Sequence, residues 1–162
     1  MIKRITAAVL ALLLGVCAAG CGEKTDGDSG KKADLTSFYD QLANKFGWAD
    51  TYMIDLNDEM LDSSYPGLRQ IASGQLVAKM PQMSSVVNEI VLVECASEED
   101  AQRAAELFRS RIDDQANGGA WYPDSMEAWS NAQVYTEGNY AAMIASAEHQ
   151  DEIGSEFTAL FA

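Results

Sequence analysis

The sequence is short of the residues that build most catalytic centres and nucleic-acid surfaces. It holds one histidine, His149, and three cysteines in 162 residues. A conventional zinc set draws several His and Cys side chains together, so His149 without a companion reads as a surface residue near the last helix. Lys and Arg number 11 against 25 Asp and Glu, a formal charge of −14. A surface that negative repels phosphate and anionic headgroups and argues against a nucleic-acid partner. There is no Gly-rich phosphate loop and no Gly-x-Ser-x-Gly elbow. Gly27-Asp28-Ser29-Gly30 matches the nucleophile motif of trypsin-like proteases. It stands in a polar stretch with no histidine upstream, so the match is chance. No apolar run is long enough to cross a bilayer.

What the chain does carry begins at its N-terminus. Lys3 and Arg4 precede a run from Ile5 to Ala19 that is apolar apart from Thr6, and Ala18-Ala19-Gly20-Cys21 follows. A charged start, a short apolar core and small residues before a cut describe a secretory signal, residues 1–20. The cysteine directly after them resembles the lipobox of bacterial lipoproteins, with Ala18 where leucine is commonest. Bulky Val16 makes Cys17 a poorer acceptor. Cys21 is therefore the expected lipidation site, and acyl chains on it would hold the protein on the extracytoplasmic face of the cell membrane. Loss of the signal removes two cations and no acid, which deepens the charge from −14 to −16. Cys95 is then the one unmodified cysteine, so no internal disulfide is expected despite an oxidising compartment. It ends an apolar strand without a cationic neighbour and reads as a buried, inert thiol. Residues 21–33 are polar and small, a flexible linker.

Residues 34–162 have the length and apolar content of one domain. Asp34 can cap a helix bearing Leu35, Phe38, Leu42 and Phe46, with Gly47 as its stop. An irregular region follows, then a turn at Tyr65-Pro66-Gly67 and a helical turn ended by Gly74. Gln75 to Met80 reads as a strand closed by Pro81. Val86 to Cys95 is apolar on both faces, as a central strand should be. Ser97 then opens an amphipathic helix through Ala101, Ala104, Ala105, Phe108 and Ile112, with acids in its first turn and arginines in its last. Beyond Gly118-Gly119 come a short helix with Trp129, a hairpin about Glu137-Gly138 and a helix from Asp151. The order is α-β-β-α-β-β-α. It predicts an α+β domain with helices packed on a mainly antiparallel sheet of about four strands.

Three groups of residues attract a chemical reading. Asp55-x-Asn57-x-Glu59 offers the first oxygens of a calcium loop, but Met60 stands where glycine is needed and no glutamate closes the loop. Capping and a solvated acidic face fit these residues better. Glu89 and Glu94 interrupt the central strand on opposite faces, and Arg109 or Arg111 could partner them. Trp121, Tyr122 and Trp129 cluster around Pro123 as candidate binding residues. They are either core plugs or the lining of a groove for a peptide or sugar.

Several short motifs occur together: the lipobox, Met80-Pro81-x-Met83, Glu89-Ile90, a helix ending at Arg109 to Arg111, Tyr122-Pro123 and Gly138-Asn139-Tyr140. In these the chain resembles a bacterial lipoprotein family, domain of unknown function 4358, over roughly residues 35–146 plus the signal. That family has no established activity, so the resemblance implies an address and a fold but no catalytic residues. The resulting expectation is a lipid-anchored, non-catalytic module of the cell envelope that binds a protein, peptide or wall component, with no cofactor and no metal. The alternative is a lipoprotein that binds a small ligand or cation.

Overall fold

The computed structural model describes residues 32–48 and 52–162. The signal, Cys21 and the linker up to residue 31 lie outside them. Within the described residues no helix is long and apolar enough to cross a membrane.

The sheet is built outward from β3 (Asn88–Cys95). Its alternate side chains are buried on both sides, Val91 and Val93 towards one face, Ile90 and Leu92 towards the other. A strand without a solvent face needs a partner along both edges. It has β2 (Ala72–Pro81) on one and β5 (Tyr140–Ser146) on the other, with Val91 opposite both Ala78 and Met143. The outer strands are β1 (Met53–Asp55) and β4 (Gln133–Glu137), giving the order β1-β2-β3-β5-β4, antiparallel throughout. The domain is thus α+β, as its pattern predicts, with five strands instead of about four. The extra strand is β1, three residues long in the region expected to be irregular.

Helices cover both faces. On the Ile90 side lie α1 (Leu35–Lys45) and α6 (Gln150–Ala159), through Leu35, Phe38, Leu42, Ile153 and Phe157. On the Val91 side lie α2 (Asp58–Ser64), α3 (Leu68–Ile71), α4 (Glu98–Asp114) and α5 (Pro123–Ser130). The caps follow the side-chain chemistry. Asp34 accepts from the Ser37 amide at 2.9 Å, Asn57 from Met60 at 2.9 Å, and Ser97 from Asp100 at 3.1 Å. Ala33, which composition places in the linker, is buried, and its carbonyl accepts a hydrogen bond from Gln75 at 2.8 Å. Packing therefore reaches one residue beyond the sequence-based boundary.

Two glycines serve close approach. Gly74 is not a helix stop. It lies inside β2, where a Cβ would meet the Glu94 carboxylate, and β2 is irregular between Ala72 and Leu76. Gly154 lies buried in α6 against the Tyr135 ring of β4, where a Cβ would collide with the phenol. Alanine would gain about 1 kcal/mol of helix propensity over glycine. Overpacking against a rigid ring costs about 1–3 kcal/mol, so packing should win. Gly154→Ala is expected to lower the urea midpoint at unchanged m value. A raised midpoint would show that α6 can back away from the sheet.

Candidate functional site

Burial divides the three candidate aromatic residues. Trp129, on the inner face of α5, is buried, whereas Trp121 is 91% exposed and Tyr122 53% exposed. The local chain explains the split. Beyond α4 a widened π-type turn runs through Gln115–Gly119, with Gly118 at φ 121°, a conformation that favours glycine. Pro123 is the first residue of α5 and holds Tyr122 extended, φ −106° and ψ 137°. Between the glycines and the proline the chain has no helix or sheet to pack into, and Trp121 and Tyr122 face outward.

Together with Met83, 58% exposed, they are the exposed large apolar side chains among the described residues. Met83 and Trp121 border one cleft of about 120 Å³, into which Met80, Pro81 and Trp129 also face. Pro81 closes β2 and turns the chain into the loop that carries Met83. So two irregular segments, one after β2 and one after α4, meet at a shared mouth.

The floor of that cleft is a buried ion pair. Glu89 of β3 is 3% exposed, and its carboxylate receives Arg111 Nε at 3.2 Å and Nη2 at 3.0 Å. The Tyr65 hydroxyl donates to the same carboxylate. The Arg111 guanidinium lies 5.3 Å from the Trp129 ring and 6.0 Å from the Tyr65 ring. Burial works against the arginine's charge, but Glu89's hydrogen bonds and charge outweigh it and hold its pKa above the ordinary value. Burial, then the neighbouring carboxylate, pushes the Tyr65 phenol well above its ordinary value, so it stays a donor.

Of the two arginines the sequence offers, Arg111 is Glu89's partner. It stands three and seven residues after the buried Phe108 and Ala104, on their side of α4, while Arg109 is exposed on the other side. Glu94 has different partners, Gln75 at 3.0 Å and Lys32 at 3.9 Å. Tyr65 is more than a turn residue: it is fully buried and packs edge-on to Phe108 at 5.7 Å. Its signal in the sequence is the spacing Leu61, Tyr65, Leu68, one apolar face that runs through the turn.

The remaining candidates have structural occupations. Asp55 pairs with Lys79 at 2.7 Å, and Asp58 and Asp62 pair with Arg69 at 2.8 and 3.5 Å. No group of three metal-ligating side chains comes together among the described residues. His149 is half-buried and stacks on Phe46 at 4.0 Å. Cys95 is buried, and burial with the nearby Asp100 charge raises its thiol to about 11, so it is not a ready thiolate. Glu89 is buried and held by three hydrogen bonds from Arg111 and Tyr65. No catalytic constellation is evident among the described residues.

The family model described as Domain of unknown function (DUF4358) matches residues 48–146. No curated protein and no solved structure matches the chain significantly. The matched span takes in the whole sheet and α2 to α5, and so every residue of the cleft.

Removing one member of the buried pair should cost far more than removing both. Glu89→Met would strand the Arg111 charge at a loss of about 3–5 kcal/mol. Glu89→Met combined with Arg111→Met and Tyr65→Phe should fall well short of the summed single losses in urea unfolding. Strict additivity would mean that the three side chains do not act as one unit.

Proposed function

The chain belongs to the family described as Domain of unknown function (DUF4358), and from that premise we propose that it is a lipid-anchored, non-catalytic binding module of the cell envelope. The acylated residue is Cys21, the linker between it and Ala33 holds the domain off the outer face of the membrane, and the cleft beside Trp121 receives the partner. The observation that carries this reading is the meeting of Met83 and Trp121 at one mouth, with the exposed Tyr122 next to Trp121 in the chain. An isolated exposed apolar residue needs no explanation, whereas a cluster of large ones on an otherwise charged surface marks an interaction site.

Charge narrows the partner. Lys32, Lys45, Arg69, Lys79, Arg103 and Arg111 each already face a carboxylate of the same chain. The excess of acids is therefore left as an unscreened negative field that favours cationic segments and disfavours acidic ones. A protein or peptide segment with Lys or Arg beside an apolar anchor fits both features. Its cation can lie over the Trp121 ring while the anchor enters the cleft.

Crosslinking of the anchored protein in living cells, followed by mass spectrometry, tests this. A reproducible partner should be lost with Trp121→Ala or Met83→Ala. Both side chains are exposed, so stability should shift by no more than about 0.5 kcal/mol. Trp129→Ala is unsuitable, because that ring is part of the core. Undiminished crosslinking in both exposed variants would remove the cleft from the interaction. Cys21→Ser should release the protein from the membrane fraction; full retention would sink the anchor.

A further inference from the structure

On the other side of the Val86–Asn88 wall lies a second concavity, about 250 Å³ in volume. Its lining is unlike the first. The buried polar or charged residues of the described domain are Asn88, Glu89, Ser125 and Ser146. Glu89 is satisfied by Arg111 and Tyr65, and the other three all border this cavity. Their hydrogen bonding within the protein is poor. Asn88 Oδ1 has no partner, and its amide nitrogen reaches only the Met53 sulfur at 3.5 Å. Ser125 Oγ donates to the Ser85 carbonyl at a long 3.5 Å. Ser146 Oγ accepts from the His149 amide at 3.4 Å. Buried polar atoms are nearly always paired, and an unpaired amide carbonyl is costly to keep. One unpaired amide carbonyl and two serine hydroxyls with only long contacts border one cavity and point to a molecule that completes them.

The walls describe that molecule. Trp48 and Tyr52 supply an aromatic side. The Trp48 ring is held by Phe46 at 5.4 Å and Tyr39 at 6.2 Å, so the wall is pre-formed. Asp124 and Glu148 stand at the rim, His149 lies 3.8 Å from the Glu148 carboxylate, and no Lys or Arg lines the cavity. Burial, and then the charge of Glu148, raises the Tyr52 phenol above its ordinary pKa, which keeps it protonated and marks the negative potential there.

We propose that this cavity binds a compact organic amine. Its flat apolar body lies against Trp48 and Tyr52, its N–H donors reach the Asn88 carbonyl and the serine hydroxyls, and its positive charge faces Asp124 and Glu148. The site is separate from the aromatic cleft and does not depend on it.

The test is calorimetric titration of the purified full chain, in detergent, with 2-phenylethylamine, 2-phenylethanol and 3-phenylpropionate. These probes share a ring and differ in charge. The amine should bind saturably and about tenfold or more tighter than the alcohol, and the acid weakest of all. Asn88→Ala should weaken the amine by about tenfold. Because Asn88 is buried, a second variant guards against loss of folding. Asp124→Asn with Glu148→Gln changes only exposed groups and should bring amine and alcohol to similar affinities at unchanged thermal midpoint. Trp121→Ala should leave amine binding intact. Absence of saturable amine binding at millimolar concentration, or an acid that binds as well as the amine, overturns the proposal. So does a folded rim variant with undiminished amine preference.

Discussion

The salt bridge between Glu89 and Arg111 is the constraint to which most of the molecule answers. A carboxylate 3% exposed on a central strand is tolerable only with a compensating charge held in place. That demand fixes the rotation of α4 on the sheet, since a helix turned by one residue would bring Ser110 or Ile112 to the carboxylate instead. It requires a donor for the remaining carboxylate capacity, supplied by Tyr65 from the end of α2. It also places Trp129 over the guanidinium and thereby docks α5. A hydrophobic trio of similar volume would hold these elements together as firmly, and such replacements are often neutral or stabilising. What the ion pair adds is registry: apolar contacts tolerate sliding, whereas a two-point arginine–carboxylate contact does not.

The position of the exposed aromatics follows from the same pair. With the last turn of α4 held by Arg111 and α5 held through Trp129 in its last turn, the connection between the two helices is short and must reverse quickly. Gly118 and Pro123 permit the reversal, one by its left-handed backbone and the other by its fixed φ. Trp121 and Tyr122 lie on the outside of that bend. Their exposure is thus a product of buried anchoring on either side rather than of looseness, and a rigidly presented aromatic ring loses little entropy when it binds.

Much of this architecture was legible in the residues, and the parts that were not share a physical reason. β3 and α4 follow from local signals that all agree: a β-branched run apolar on both faces, Ser97 as cap, acids in the first turn, arginines in the last. β1 leaves no mark in the sequence because three residues carry no periodicity, and it pairs along the edge that β2 offers at Lys79 to Pro81. In the sequence Gly74 has the place of a helix stop, a common role of glycine. Its actual task, room for the Glu94 carboxylate, depends on a residue of the neighbouring strand β3 that is distant in the sequence. The hairpin turn sits one residue later than expected, at Gly138-Asn139, because Glu137 still pairs with Tyr140. For the candidate residues, composition could not separate Trp129, buried, from Trp121, exposed. That difference arises from helix rotation fixed by a tertiary contact, and no local rule encodes it.

Asn88 and Glu89 show how one strand start can serve two concavities. They are consecutive residues of β3, so the pleat sends their side chains to opposite faces. One places a carboxylate under the aromatic cleft, where arginine and tyrosine take up its hydrogen-bonding capacity. The other leaves an amide carbonyl unpaired beside the neighbouring cavity. A one-residue slip of β3 would exchange them, burying an uncompensated carboxylate beside the aromatic wall of Trp48 and stranding Arg111 against an amide. The same slip would reverse the Val91 and Ile90 faces against two helical layers. Register is therefore set twice, by the apolar alternation and by the charge, and both depend on the pairing of Asn88 with Ser146 and Glu89 with Ala145. The chemistry on either side of the Val86–Asn88 wall is a consequence of that one alignment.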